Sequence, residues 1–372
     1  MICKSISYKN FRNIENETLE LSPSVNVIRG ENAQGKSNML EGIYFFARGR
    51  SFRASKDKEL VRFGESEAFL TLDFSKDNSP LTSTLTALIP TSSKKIITRN
   101  GARLSSLREM IGSFRAVLFC PAHLSLVDGG PSMRRSFLDI ALSQLYPAYL
   151  ESLAAYNRAL LQRTVLLKKA HDGEKIDSYI WDVYADQLAT AGAAIAAKRF
   201  EYTEELSFSV SDFFAGMTGG RETPSLVYKS DSLEADMTAE DILRVGKEIL
   251  YKQITEALEK DIRYSVNSHG IHRDDIAIKI NSKEAKLYAS QGQRRSLALS
   301  MKLAEGEAAK KSCGEYPVFL LDDVLSELDG TRRAYILGCL DGRQIIVTSC
   351  EADHFKGDGV KFITVENGKL QL

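Results

Sequence analysis

Apolar and polar positions along this chain change period several times, and each change predicts a change of element. Up to about residue 120 the pattern is mainly that of strands. In KKIITRNGARL the flanks alternate around Asn100-Gly101, a pair suited to a two-residue hairpin turn. One stretch is helical: behind the apolar run Val25, Val27 and Ile28, residues Met39, Leu40, Ile43, Phe46 and Ala47 recur at helical spacing. From Pro131, which fits the first position of a helix, to about residue 215 the chain reads as helical. LESLAAYNRALLQRTVLLKK and YADQLATAGAAIAAKRFEYTEEL are its longest pieces, and Trp181, Tyr179 and Tyr184 are assigned to the core. Thr238 with Asp241 predicts the cap of another helix through ILRVGKEILYKQITEALEK. Strands return at DIAIKI, where Ile276, Ile278 and Ile280 alternate with Ala277 and Lys279. VFLLDD, residues 318–323, is apolar without alternation, as expected of a parallel strand buried on both faces. The helical middle therefore reads as an insertion.

Chemistry enters between the first apolar run and the first helix. In GENAQGKS, Gly30 is followed after four residues by Gly35, Lys36 and Ser37, the spacing of a phosphate-binding loop, here between a strand and a helix as the loop requires. Glycines let the backbone turn its amides inward, the helix N-terminus favours negative charge, and Lys36 can reach the terminal phosphates. The candidate nucleotide-binding set is Gly30, Glu31, Asn32, Ala33, Gln34, Gly35, Lys36, Ser37 and Asn38, with the Ser37 hydroxyl offered to magnesium. Asp322, ending the buried run, would hold the same ion through water, and Asp323 would orient or deprotonate the attacking water. Lys36 and Asp323 are thus the catalytic candidates. About thirty residues earlier, SQGQRRSLALSMKLAE carries a stripe of Leu297, Met301, Ala304 and Ala308. It places Ser290 and Gly292, with Gln293, at the start of a helix, a second phosphate-binding helix end. The segment resembles the signature motif of ATP-binding-cassette ATPases, in which such a helix binds the nucleotide held by the other subunit.

Composition narrows the classes. A chain of 372 residues is long for one core, so two lobes are expected. Its 43% apolar content is that of a soluble globular protein, and no apolar run approaches the ~20 residues of a membrane helix. The opening MICKSISYKNFRN has charges where a signal peptide needs apolar residues. Cys3, Cys120, Cys313, Cys339 and Cys350 are scattered without metal spacing, which makes a reducing cytosol the default. His269 and His272 have no cysteine or third ligand near them, so a zinc site is set aside in favour of loop contacts to the nucleotide site or a carboxylate. Net charge is zero, yet residues 48–62 carry a balance of +4 and residues 94–115 a balance of +5. These stretches form either a basic face for nucleic acid or a pair of solvated loops. On the first alternative the DNA candidates are Lys94, Lys95, Arg99, Arg50 and Arg53, with Arg134, Arg135 and Lys198 next.

NFRN at 10–13, GENAQGKSN, GRSFR at 49–53, GPSMRRSFLD at 130–139, HRDD at 272–275, SQGQRR and LLDDVLSELD at 320–329 together resemble the RecF family of bacterial recombination mediators, over nearly the whole chain. Two departures stand out: Ile271 replaces the usual proline before HRDD, and IIVTSC offers Thr348 and Ser349 where many cassette ATPases have a switch histidine. With Asp323 in place of the longer glutamate common in transporters, slow hydrolysis is expected. The resemblance implies an α/β P-loop NTPase of the cassette type, like the heads of structural-maintenance-of-chromosomes proteins but without their long coiled coil. Residues 1–120 and 266–372 would build the ATPase lobe and 121–265 the inserted helical lobe. It implies ATP and Mg2+ as cofactors and a weak ATPase used as a switch. An ATP-induced homodimer would close on DNA at single-strand gaps near duplex junctions and, with RecO and RecR, help RecA load in the cytoplasm; hydrolysis would release it. A transporter subunit would share the three nucleotide motifs but has no need of the basic stretches, GRSFR or HRDD. A defence-type ATPase would need an acidic metal cluster in an extra domain.

Overall fold

The computed structural model describes every residue except 78, 80, 351–354, 356–358 and 372. In chain order the strands are β1 Ile2–Phe11, β2 Ile14–Glu20, β3 Val25–Arg29, β4 Glu67–Ser75, β5 Thr82–Pro90, β6 Ile96–Arg99, β7 Ala102–Arg103, β8 Ala116–Phe119, β9 Pro224–Lys229, β10 Asp275–Ile280, β11 Lys283–Glu284, β12 Val318–Asp322, β13 Ile345–Ser349, β14 Val360–Glu366 and β15 Lys369–Gln371. The helices are α1 Lys36–Arg48, α2 Pro131–Leu145, α3 Pro147–His171, α4 Ser178–Thr218, α5 Ala239–Glu256, α6 Leu258–Tyr264, α7 Ala285–Tyr288, α8 Gln291–Cys313 and α9 Gly330–Cys339. They pack as two compact units, one of Met1–Ser125, Phe213–Arg221 and Gln291–Leu372, the other of Leu126–Asp212 and Glu222–Ser290. The expected divisions lie after 120 and after 265; the chain leaves the first unit after Ser125, revisits it over Phe213–Arg221 and returns to it after Ser290.

The first unit holds two sheets with α1 between them. One sheet is antiparallel, in the order β2-β1-β4-β5-β6-β7. The other runs β15-β14-β3-β13-β12-β8, parallel except for the edge strand β15. β12 explains its unalternated sequence: Val318 and Leu320 join the core around α1, while Phe319 and Leu321 face the opposite core with Leu299 and Leu303 of α8 and Ile336 of α9. Helix α1 buries Met39, Leu40, Ile43, Phe45, Phe46 and Ala47 completely, each large side chain contributing about 1.5–3 kcal/mol. The close approach to β1 requires Gly42, where a Cβ would lie 2.5 Å from the Tyr8 ring.

The second unit is mainly helical. Pro131 opens α2, and Thr238 caps α5 in a reciprocal capping box with Asp241. The hairpin at Asn100-Gly101 forms in the first unit with both residues at positive φ, 51° and 83°. Trp181 is buried as expected, but Tyr179 is exposed and Tyr184 only half-buried, because α4 begins at Ser178 with that face uncovered. Among the described residues no helix is long and apolar enough to cross a membrane, and all five cysteines are free.

Candidate functional site

Residues 30–35 leave the end of β3 and turn into α1 through backbone that few side chains tolerate: Gly30 at φ 155°, Ala33 at 65° and Gly35 at 109°. Three neighbours fix this path. Asn13, in the β1–β2 turn, donates from Nδ2 to the Gln34 carbonyl at 3.2 Å and accepts from Asn38 Nδ2 at 2.8 Å. A Cβ on Gly35 would lie within 3 Å of the Asn13 amide. The β14–β15 turn closes the other side, where Gly368 N donates to the Gln34 carbonyl at 2.8 Å and Asn367 N to Gln34 Oε1 at 2.5 Å. Beneath the helix, Arg12 forms a bidentate pair with the fully buried Glu41, which also accepts from Ser51 Oγ. NFRN and GRSFR therefore support the loop from below and beside it. Sequence reading missed the roles of Asn13, Arg12, Glu41 and the 367–368 turn, although NFRN and GRSFR flagged part of the set.

Lys36 is 6% exposed, and its ammonium donates to the carbonyls of Gly30 at 2.6 Å and Glu31 at 2.9 Å and to Cys350 Sγ at 3.2 Å. Among the described residues it has no carboxylate partner. A buried cation with neutral acceptors only is poorly compensated and fits an anion at the start of α1. Cys350 Sγ also donates to Asn32 Oδ1 at 3.0 Å.

Parallel pairing brings the acid pair to the same end of the sheet. Asp322 is level with Thr348, and Thr348 with Ile28, so β12, β13 and β3 end together beside the loop. Asp322 is buried, and its Oδ1 accepts from Thr348 Oγ1 at 3.0 Å. Asp323 has φ 53°, and its amide donates to the same Thr348 oxygen at 2.9 Å. Ser326 Oγ donates to the Asp323 carbonyl at 2.7 Å. With Ser37 in the first turn of α1, the oxygen donors on offer, a hydroxyl and a carboxylate, suit Mg2+.

The segment SQGQRR starts α8 at Gln291, one residue after Ser290 and with Gly292 and Gln293 in its first turn. Beyond it the helix is no amphipathic surface helix. From Ser296 to Ala309 it is almost wholly buried, Lys302 and Glu305 included, and these two pair with each other. Burial pushes the Glu305 carboxyl above its ordinary range. At its start, Arg295 donates to the Glu327 carbonyl at 3.0 Å and Arg332 Nε to Ser296 Oγ at 2.8 Å, tying α8 to the loop that follows the acid pair and to α9.

Of the DNA candidates, Lys94, Arg99, Arg50 and Arg53 are exposed. Lys95 is not available: it donates to the Gly49 carbonyl at 2.6 Å, pairs with Asp57 at 2.8 Å and lies over the Phe45 ring. Arg53 donates to Asn38 Oδ1 at 2.9 Å, close to the loop. The second choices fare worse. Arg134 is buried in a bidentate pair with Asp275, Arg135 donates to the Asp274 carbonyl, and Lys198 pairs with Glu201. GPSMRRSFLD and HRDD are thus interlocking parts of the second unit, with Asp139 and the Ile271 carbonyl accepting from the buried Arg199. His272 hydrogen-bonds Tyr156 and the Asn267 carbonyl, not a carboxylate, and burial holds its pKa below 6.5. No cluster able to hold a metal through His, Cys, Asp and Glu occurs among the described residues.

Proteins of known identity resemble this chain over its whole length. The chain is 37% identical to "DNA replication and repair protein RecF" of Clostridium perfringens over 374 residues, 100% of both chains. Its counterpart in Clostridioides difficile is 37% identical over 373 residues, covering 100% of this chain and 98% of that one. The chain belongs to the RecF family. A solved structure of "the recombination mediator protein RecF-ATP in RecFOR pathway" superposes with a TM-score of 0.92 at 35% identity, covering 100% of this chain and 97% of that one. A family model described as AAA domain matches residues 5–113, the part of this RecF-family chain that contains the loop and α1. An Smc head domain from Pyrococcus furiosus, at 15% identity and a TM-score of 0.57 over 100% of this chain and 95% of that one, shares the fold. The expected α/β P-loop fold of the SMC-head type is thereby established.

Proposed function

We propose that this protein is an ATP-dependent DNA-binding factor of bacterial DNA repair and replication. Residues 30–38 hold the ATP phosphates, and Ser37 and Asp322 hold Mg2+, which when bound offsets the charge of the phosphates. Asp323 positions the attacking water, and Ser290, Gly292 and Gln293 of a second copy close on the nucleotide. The ATP-bound homodimer binds duplex DNA and gapped or single-strand junctions. With RecO and RecR it promotes RecA loading in the cytoplasm, and slow hydrolysis releases it. The relatives' names support the repair role, and the ATP complex of a RecF of the same fold supports the nucleotide. The observation that carries the reading is Lys36, whose buried ammonium has only neutral acceptors among the described residues and stands beside the ends of the strands that present Asp322 and Asp323.

The decisive test is direct titration of ATP with Mg2+ into the parent and Lys36→Ala. Removing a charge-assisted contact to phosphate should weaken ATP binding by about two orders of magnitude. Sedimentation of the parent with and without ATP, on gapped and intact duplex, should show a dimer on DNA only with ATP. Equal ATP affinity in both proteins would end the reading of residues 30–37 as the phosphate loop.

A further inference from the structure

We infer that Thr348 is a positioning residue for hydrolysis, setting the two adjacent carboxylates at the end of β12. The inference rests on the ATPase reading above. Thr348 is 1% exposed at the end of β13, level with Asp322 in the parallel pairing. Its Oγ1 stands 2.9 Å from the Asp323 amide and 3.0 Å from Asp322 Oδ1. An amide can only donate, so the hydroxyl oxygen accepts from Asp323; an ionised carboxylate can only accept, so the hydroxyl proton goes to Asp322. The alternative acceptor, the Leu321 carbonyl, is at the 3.5 Å limit. One side chain therefore orients the carboxylate proposed for the metal and anchors the backbone of the carboxylate proposed for water.

The second contact matters because Asp323 has φ 53°, a left-handed backbone uncommon for a residue with a side chain and held here by its neighbours. That conformation decides where the Asp323 side chain points. Ser326 secures the carbonyl side of the same residue and Thr348 the amide side. Threonine suits the place: its methyl fills the buried strand end while its hydroxyl makes both contacts. Valine keeps the shape and removes both hydrogen bonds, whereas serine keeps the hydroxyl and loses the methyl.

The experiment compares the parent, Thr348→Val and Thr348→Ser in ATP binding by direct titration, in single-turnover hydrolysis with protein in excess, and in thermal unfolding. The expected result for valine is a fall in the hydrolysis rate of about ten- to a hundredfold with ATP affinity within about threefold of the parent, since misplacing a catalytic group by a fraction of an ångström acts on the chemical step. Serine should return most of the rate. The Mg2+ concentration giving half-maximal rate should rise in the valine variant and return in the serine one. A valine variant with the parent's rate overturns the inference. So does a rate loss that serine does not restore and that tracks a lowered melting temperature, which assigns Thr348 to packing alone. A parent that binds no ATP overturns the ATPase reading itself, and is separated from the other outcomes by the titration.

Discussion

At the scale of single residues, the site depends on placing charges that the described residues around them do not neutralise. Lys36 is the cationic case, and Asp323 the anionic one. Asp323 is fixed through its amide, its carbonyl and its left-handed backbone, while among the described residues its carboxylate makes one long contact, 3.4 Å from Ser326 Oγ. A side chain held by its backbone and left free at its tip can address a water. Asp323→Asn preserves the shape, and asparagine tolerates φ near +53°, so the local fold should survive. ATP affinity should remain within a fewfold of the parent, with hydrolysis reduced at least a hundredfold and the ATP-bound dimer persisting. Quench-flow hydrolysis alongside sedimentation checks this, and normal turnover would transfer the water-positioning role to another group. The spacing of GENAQGKS and the paired acids were legible from sequence because local covalent geometry dictates them. Asn13 was not, because its amide acts on Gln34 and Gly35 across a loop closed by folding, and the same amide elsewhere would only cap a turn.

At the scale of elements, α8 shows where hydrophobic periodicity stops being informative. Its stripe of Leu297, Met301, Ala304 and Ala308 is buried as expected, but so are Ser296, Ser300, Lys302 and Glu305, residues that a polar face would normally expose to water. Close packing on β12 explains the tolerance for small residues: a Cβ on Gly306 would lie 2.5 Å from the Phe319 ring. Lys302 and Glu305 enter the interior because they neutralise each other one turn apart. Removing one partner should cost far more than removing both. Lys302→Met alone should lower stability by about 3–5 kcal/mol by stranding the Glu305 carboxylate, and the added Glu305→Leu should recover most of it. Urea midpoints of the two variants and the parent decide the matter; equal losses in the single and double variants would mean the pair contributes nothing beyond volume. The same argument covers HRDD and GPSMRRSFLD. Arg134 and Arg135 read as second-choice nucleic-acid contacts, yet Arg134 is buried against Asp275, as Arg199 is against Asp139, with partners 141 and 60 residues apart in sequence. Such pairings cannot be read from a single chain's pattern.

At the scale of the whole molecule, a net charge of zero conceals an uneven distribution. Folding engages several cations of the two basic stretches: Arg115 pairs with Glu315, Lys95 with Asp57 and Arg62 with Glu15. Lys94, Arg99, Arg103 and Arg108 remain exposed in one stretch, and Arg50, Arg53, Lys56 and Lys58 in the other. Lys95 also joins the stretches, since its contacts to Gly49 and Asp57 bring the start of β6 against the segment after α1. The exposed cations left over all belong to the first unit, and two copies would present two such sets. Phosphate contacts act by releasing counterions, with a salt slope that loses roughly 0.9 for each contact removed. Converting Lys94, Arg99 and Arg103 to alanine together should therefore weaken DNA binding by the same factor on unrelated sequences and flatten the plot of log affinity against log salt by roughly 2–3. ATP-driven dimerisation should be unchanged. Lys95→Ala should behave differently, lowering thermal stability while leaving the salt slope alone, because its charge is already engaged. Fluorescence anisotropy with two duplexes of unrelated sequence over a range of salt concentrations gives both numbers. If the triple variant keeps the parent's affinity and slope, the DNA surface lies outside this set, and the exposed cations of the 94–115 stretch are only solvated.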